Sequence, residues 1–244
     1  MTRPFIKKLT TAASAPYHAE GRFAWHFARS KLSGDPVFAG LLEHGLIPDN
    51  TCFLDIGCGQ GLLASWLRCA AAFHQQGDWP AHWPAAPRLL SIHGIEIVPR
   101  DVQRARRALG DAATFTQGDM CTAPFGKSDV IVILDVLHYV SIAAQDDVLQ
   151  RAREALAPNG TLLLRVGDAA AGLPFKVSFW VDYAVCVMRG QRNPRMYCRP
   201  LTAWCAALAD LGFSVRTLQM RQGTPFANVL LVAKLGHNSD RHAT

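Results

Sequence analysis

The chain has 244 residues, half of them apolar and 18% charged, which excludes intrinsic disorder and allows one α/β-sized core with additions. Lys and Arg outnumber Asp and Glu by 25 to 19, a formal net charge of +6, which favours anionic partners without choosing among nucleic acid, lipid headgroups and acidic proteins. The 7 cysteines lie scattered, with no Cys-x-x-Cys pair to organise a metal site or a redox couple, and read as reduced thiols of a cytoplasmic protein. The basic start, Met1-Thr-Arg-Pro-Phe-Ile-Lys-Lys, leads into no apolar h-region, so no secretory signal is expected.

In chain order, residues 17–47 carry apolar positions at helical spacing, broken at Gly34-Asp35-Pro36. This predicts two short helices within an N-terminal brace or lid over 1–49. Cys52-Phe-Leu-Asp-Ile56 is a short apolar run that suits a strand buried on both faces, and it runs straight into glycines. A helix from 61 to about 72 is expected next. Residues 71–88 contain Trp79, Trp83, His74 and His82 among prolines, with no period, and read as an insertion. The two histidines lack metal-ligand spacing, and no metal site is predicted. Strand 89–97, helix 100–109, strand 113–117, strand 129–135, helix 143–156 and strand 161–166 follow, with Pro158-Asn159-Gly160 expected to end the last helix.

A long connection, 169–200, precedes helix 201–211, strands 213–220 and 227–235 joined through Arg221-Gln-Gly-Thr-Pro, and a tail over 236–244. The alternation implies a doubly wound, mainly parallel α/β sheet with helices on both faces and one antiparallel strand in the closing hairpin. The apolar stretch 173–188 is interrupted by Lys176, Ser178 and Asp182 and is not expected to span a bilayer.

The strongest motif is Asp55-Ile-Gly57-Cys58-Gly59-Gln-Gly61 at the end of the first parallel strand. There the backbone can approach a ligand and the next helix presents its N-terminus. A dinucleotide fingerprint would place its third glycine at 62, which is Leu62, and this disfavours NAD. The spacing Asp-x-Gly-x-Gly-x-Gly instead resembles the first motif of class I S-adenosylmethionine-dependent methyltransferases. Glu96, in Gly94-Ile-Glu96-Ile97, ends the second strand, where a carboxylate accepts from ribose hydroxyls. It lies 35 residues beyond Gly61, and leaving out 71–88 reduces this to 17, close to the roughly 20 of the usual unit.

The resemblance covers about 50–235 and implies a seven-stranded sheet of order 3-2-1-4-5-7-6 with strand 7 antiparallel. It also implies a cofactor, S-adenosylmethionine, held by Asp55, Gly57, Cys58, Gly59, Gly61, Glu96 and Ile97, by Asp119 and Met120 at the adenine, and by Asp135 beside the methionine portion. His138 is the candidate base, because its ordinary pKa lies near neutrality, or else it walls the pocket. Asp135 and Tyr139 are its catalytic neighbours, and Asp168 is a weaker pocket candidate.

The connection 169–200 is too long to be idle. Phe175, Phe179, Trp180, Tyr183, Arg195 and Tyr197 are the substrate candidates within it, and its helix suits either a lid over the active site or a contact with lipid. Arg189, Arg192, Arg195 and Arg199 form either a solvated loop or a dock for an anionic carrier or membrane surface. The expected acceptor is a small, aromatic or acyl-carrier- or lipid-linked molecule, with peripheral contact at the inner membrane face as an alternative. A non-catalytic S-adenosylmethionine-binding protein is the competing reading. RNA methylation is disfavoured, since no Asn/Asp-Pro-Pro-Tyr motif follows the fourth strand. Leu-Arg-Val-Gly-Asp168 and Gly223-Thr-Pro-Phe-Ala-Asn-Val229 look similar to methyltransferases of aryl-polyene and related pigment-lipid pathways.

Overall fold

Strands built from unbroken apolar runs need cover on both faces, and three such runs form the middle of the sheet: β1 (Thr51–Ile56), β4 (Ser128–Leu134) and β5 (Leu156–Gly167). The computed structural model describes residues 2–188, 195–220 and 227–236. The strands form a 7-stranded sheet of order β3-β2-β1-β4-β5-β7-β6, as the family resemblance implies, with β2 (Leu89–Glu96), β3 (Thr114–Gln117), β6 (Phe213–Gln219) and β7 (Asn228–Leu235) completing it. The strand β7 runs antiparallel to both β5 and β6. The chain divides into two compact units, Met1–Pro124 and Phe125–Thr244.

In the first unit, α1 (Thr2–Ser14), a 3-10 turn (Ala15–His18), α2 (Arg22–Gly34) and α3 (Pro36–Glu43) precede β1. The sequence reading foresaw α2 and α3 but not α1, whose signal is Phe5, Leu9 and Ala13, one helical turn apart and all buried. This helix packs on α4 (Leu62–Gln75). Phe5 meets Phe73, Trp79 and Trp83 edge to face at 5.9, 5.4 and 5.6 Å, so the aromatic insertion is a small satellite core beneath α1. The insertion starts later than expected. Good helix formers carry α4 on to Gln75, and the irregular stretch begins at Gln76. Between β2 and β3 lies α5 (Pro99–Leu109), and β1, β2 and β3 pair in parallel.

In the second unit, β4 leads through a 3-10 turn (Leu137–Tyr139) to α6 (Ile142–Ala155). The expected stop at Pro158-Asn159-Gly160 is corrected: α6 ends at Ala155, and the chain enters β5 at once. Asn159 has φ 64°, and the β4–β5 register shifts between Ser128 and Val130, so those turn residues form an irregular strand entry. A Cβ at Gly160 would lie 2.8 Å from the Ala157 carbonyl oxygen and 3.0 Å from that of Asp129, which restricts the position to glycine. The apolar segment forms α7 (Leu173–Met188), and α8 (Leu201–Asp210) precedes the β6–β7 pair. Among the described residues no helix is long and apolar enough to cross a membrane. Arg189 and Arg192, the 221–225 turn, the start of the 223–229 segment and nearly all of the 236–244 tail lie outside the described residues.

Candidate active site

In the first unit, the loop after β1 turns on glycines with left-handed backbone: Gly57, Gly59 and Gly61 have φ of 77, 54 and 78°. The amides of Gly57 and Cys58 both donate to the Ile95 carbonyl, at 2.8 and 3.2 Å, which ties the loop to the end of β2. A Cβ at Gly61 would stand 3.0 Å from the Phe115 ring, whereas a Cβ at Gly59 would point into open space. Gly61 is therefore favoured by its left-handed backbone and by tight packing together, and Gly59 leaves a bare stretch of backbone facing outward.

Glu96 reaches back to this loop. Its carboxylate accepts from the Gly59 amide at 2.9 Å and from the Val98 amide at 2.9 Å, one bond on each oxygen, which leaves further acceptor capacity on both. Next to it Ile97 is 60% exposed. Asp119 sits in an exposed turn, where its Oδ1 accepts from the Cys121 amide at 2.8 Å, and Met120 beside it is half-buried. Asp55 and Cys58 are buried. Burial, followed by the nearby Glu96 charge, pushes the Asp55 carboxyl up to about 7, and burial pushes the Cys58 thiol up as well. A bare glycine backbone, a carboxylate with spare lone pairs and an exposed Ile97 fit an adenosyl group.

Two residues that the sequence did not single out complete this half. Tyr17 is fully buried, and its hydroxyl donates to the Gln60 carbonyl at 2.9 Å. The buried Gln60 side chain donates in turn to the Ala24 carbonyl at 3.1 Å. Only the oddity of a polar Gln amid loop glycines could have pointed to them.

In the second unit, Asp135 ends β4 with φ 56°. Its carboxylate is gripped on both oxygens by the guanidinium of Arg165, with Nε 3.0 Å from Oδ1 and Nη2 on Oδ2. Arg165 is buried among the leucines of β5; a charge there needs such a partner, and the bidentate geometry supplies it. His138 follows in the 3-10 turn. Burial lowers its pKa, with Asp135 acting in the opposite sense, and its ring lies against Tyr139 with centroids 4.1 Å apart. The His138 carbonyl accepts from the Tyr197 amide at 2.8 Å.

Gln145, on the buried face of α6, holds this turn. Its Nε2 donates to the carbonyls of Leu137, Val140 and Tyr197 at 3.0, 3.1 and 2.7 Å, and its Oε1 accepts from Arg199 Nε at 2.7 Å. Arg199 also donates to the Ile142 carbonyl and to Asp146 at 2.8 and 2.7 Å, and it lies over the Trp204 ring. Arg199 is thus spent inside the fold and belongs to neither a solvated loop nor a dock, whereas Arg195 is exposed. Asp168 serves the backbone too, since its Oδ1 accepts from the amides of Ala170 and Leu201, both at 3.0 Å. With the Ala169 amide donating to the Arg199 carbonyl at 3.3 Å, the ends of the 169–199 segment close on each other. On α7 the rings of Phe175, Phe179, Trp180 and Tyr183 form a continuous ladder with centroids 5.7 to 6.4 Å apart, and Trp180 is 64% exposed.

Residues 24–218 match the family described as "Methyltransferase domain". The chain belongs to this family. As a methyltransferase it takes its methyl group from S-adenosylmethionine, as the loop motif and Glu96 imply. Solved structures share its fold. Magnesium protoporphyrin IX methyltransferase from Synechocystis PCC 6803, with bound SAH, is 22% identical with a TM-score of 0.56, over 82% of this chain and 80% of that one. An O-methyltransferase family protein from Burkholderia thailandensis is 19% identical with a TM-score of 0.62, over 89% and 60% of the two chains. Human N-acetylserotonin methyltransferase in complex with SAM is 18% identical with a TM-score of 0.60, over 93% and 59%. The methyltransferase thus spans about three-fifths of the length of the last two.

Proposed function

We propose that this methyltransferase methylates a small, apolar, aromatic acceptor, with His138 as the base and the 169–200 segment as the acceptor's cover. The observation that carries the reading is the closed segment itself. Its ends are pinned together, it displays an aromatic ladder, and the Tyr197 amide fastens it to the backbone of His138. The names of solved structures sharing the fold, magnesium protoporphyrin IX methyltransferase and N-acetylserotonin methyltransferase, agree with an acceptor of this class.

S-adenosylmethionine supplies a methyl group on a sulfonium, and the protein aligns the nucleophile with it and removes a proton. Half-buried His138, its pKa lowered by desolvation against the opposing Asp135 charge, favours the neutral form at pH 7 and can take a proton from a hydroxyl. Asp135 is held by Arg165 and fixes the shape of the β4 end without acting as a base. Asp55, Gly57, Cys58, Gly59, Gly61, Glu96 and Ile97 would hold the cofactor, with Asp119 and Met120 at the adenine. Phe175, Phe179, Tyr183 and Tyr197 would bound the acceptor, and Trp180 and Arg195 would stand at its entrance.

The test is methyl transfer, followed by mass spectrometry, to a panel of free phenolic acceptors, the same acceptors as carrier-bound thioesters, and RNA. Free phenols are expected to be methylated, and His138→Ala should lower kcat by about 10²- to 10⁴-fold with little change in SAH affinity. Turnover on RNA alone, or full turnover by His138→Ala, overturns the reading or its base.

A further inference from the structure

A peptide that runs into a glycine turns more freely than one between two bulkier residues. The Gln60–Gly61 peptide ends on Gly61, with φ 78°, and Gly59, with φ 54°, lies one residue before it, yet both of its polar groups are fastened. Its N–H donates to the Cys58 carbonyl at 3.0 Å. Its carbonyl takes the Tyr17 hydroxyl at 2.9 Å across 43 residues of sequence, and the Gln60 side chain anchors in α2 at the Ala24 carbonyl. Burying a hydroxyl completely is unfavourable unless it is bonded, and a Phe at position 17 would fill the same space with no polar group to satisfy. Tyr17 has 0% exposure, and its hydroxyl is satisfied by the loop carbonyl it holds together with the Ser65 side chain of α4. The 3-10 turn that carries Tyr17 also packs on α5, the helix that follows the Glu96 strand, and Arg107 of α5 pairs with Glu20 just beyond it.

We infer that Tyr17 is a positioning residue for the cofactor: its hydroxyl fixes the Gln60–Gly61 peptide in the one orientation that receives S-adenosylmethionine, so the N-terminal helices set cofactor affinity without touching the reacting atoms. The inference rests on the glycine loop and Glu96 being the cofactor cradle. Without the hydroxyl, the peptide samples orientations that do not bind, and the apparent affinity falls by the fraction of molecules so lost.

The measurement is SAH binding by calorimetry, beside thermal melting, for Tyr17→Phe. The expected result is an SAH Kd raised about tenfold. Trp66→Phe is the comparator, because its indole donates to the Phe38 carbonyl at 2.8 Å within the same helical layer without touching the loop. It should lower the Tm and leave the Kd unchanged. Should Tyr17→Phe fail to fold, Gln60→Met removes the anchor to Ala24 and should raise the Kd likewise. An unchanged Kd in the folded variant, next to lost SAH affinity in Glu96→Ala, overturns the inference and leaves the cradle standing. Unchanged affinity in Glu96→Ala as well overturns the cradle, and the inference with it. Equal loss of affinity in Trp66→Phe reduces Tyr17 to general packing and overturns the inference too.

Discussion

A carboxylate can present lone pairs to a ligand only if its own position is fixed, and Glu96 is fixed by the amides of Gly59 and Val98. Glu96→Gln keeps the size but offers one acceptor oxygen where two are used, so either amide loses its partner. SAH affinity should fall about tenfold or more, read by calorimetry. Asp55 yields a pH prediction. Its folded pKa, raised to about 7 by burial and the Glu96 charge, stands above an unfolded value near 3.9, so the folded state holds the proton more tightly. Its contribution to stability is complete below about pH 4 and is lost as pH rises through about 7. Asp55→Asn should therefore gain in Tm over the parent at pH 8, with the gain shrinking toward pH 4, in melts across that range. At Gly94 an added Cβ would lie 2.6 Å from the Cys58 sulfur and 2.7 Å from Phe115. Gly94→Ala should cost about 1–3 kcal/mol in denaturant unfolding. The glycines and Glu96 could be read from the sequence because strand ends define their places. Arg165 and Gln145 could not, since the partners that make them tolerable when buried lie 30 and 54 residues away.

Elements were readable where periodicity was strong and unclear where local and tertiary signals conflicted. The runs of β1 and β4 and the apolar span of α7 were recognisable from composition alone. The helix α1 was not resolved within the 1–49 brace because its apolar stripe is thin, Phe5, Leu9 and Ala13, and needs α4 and the insertion as cover. The start of β5 was misplaced because Pro158-Asn159-Gly160 carries turn chemistry that pairing with β4 overrides. The clamp between α6 and the residues ahead of α8 gives a prediction at this scale. Arg199→Ala leaves the Gln145 Oε1 and the Ile142 carbonyl without the guanidinium they accept from. The Tm should fall by roughly 5–10 °C, and limited proteolysis should cut within 169–200 more readily. SAH affinity should be retained, because the cofactor cradle lies in the other compact unit.

For the whole molecule, binding a ligand to the folded state alone adds stability in proportion to its saturation. SAH at about 100 times its Kd should add roughly 2.7 kcal/mol, a Tm rise of about 5–10 °C, and Tyr17→Phe should need correspondingly more SAH to reach the same rise. The order of the strands in the sheet has a different consequence, in time. The strands β1, β2 and β3 come from one continuous stretch, so that edge can assemble while the rest of the chain is still being translated. On the other side β7, last in sequence of the described strands, lies between β5 and β6 and is mostly buried. Until residues 228–235 have left the ribosome, β5 and β6 each have an open edge, and that of β5 is apolar. The newborn chain is thus most prone to stick to its neighbours on the polysome in the interval before β7 emerges, when its cofactor loop can already be in place.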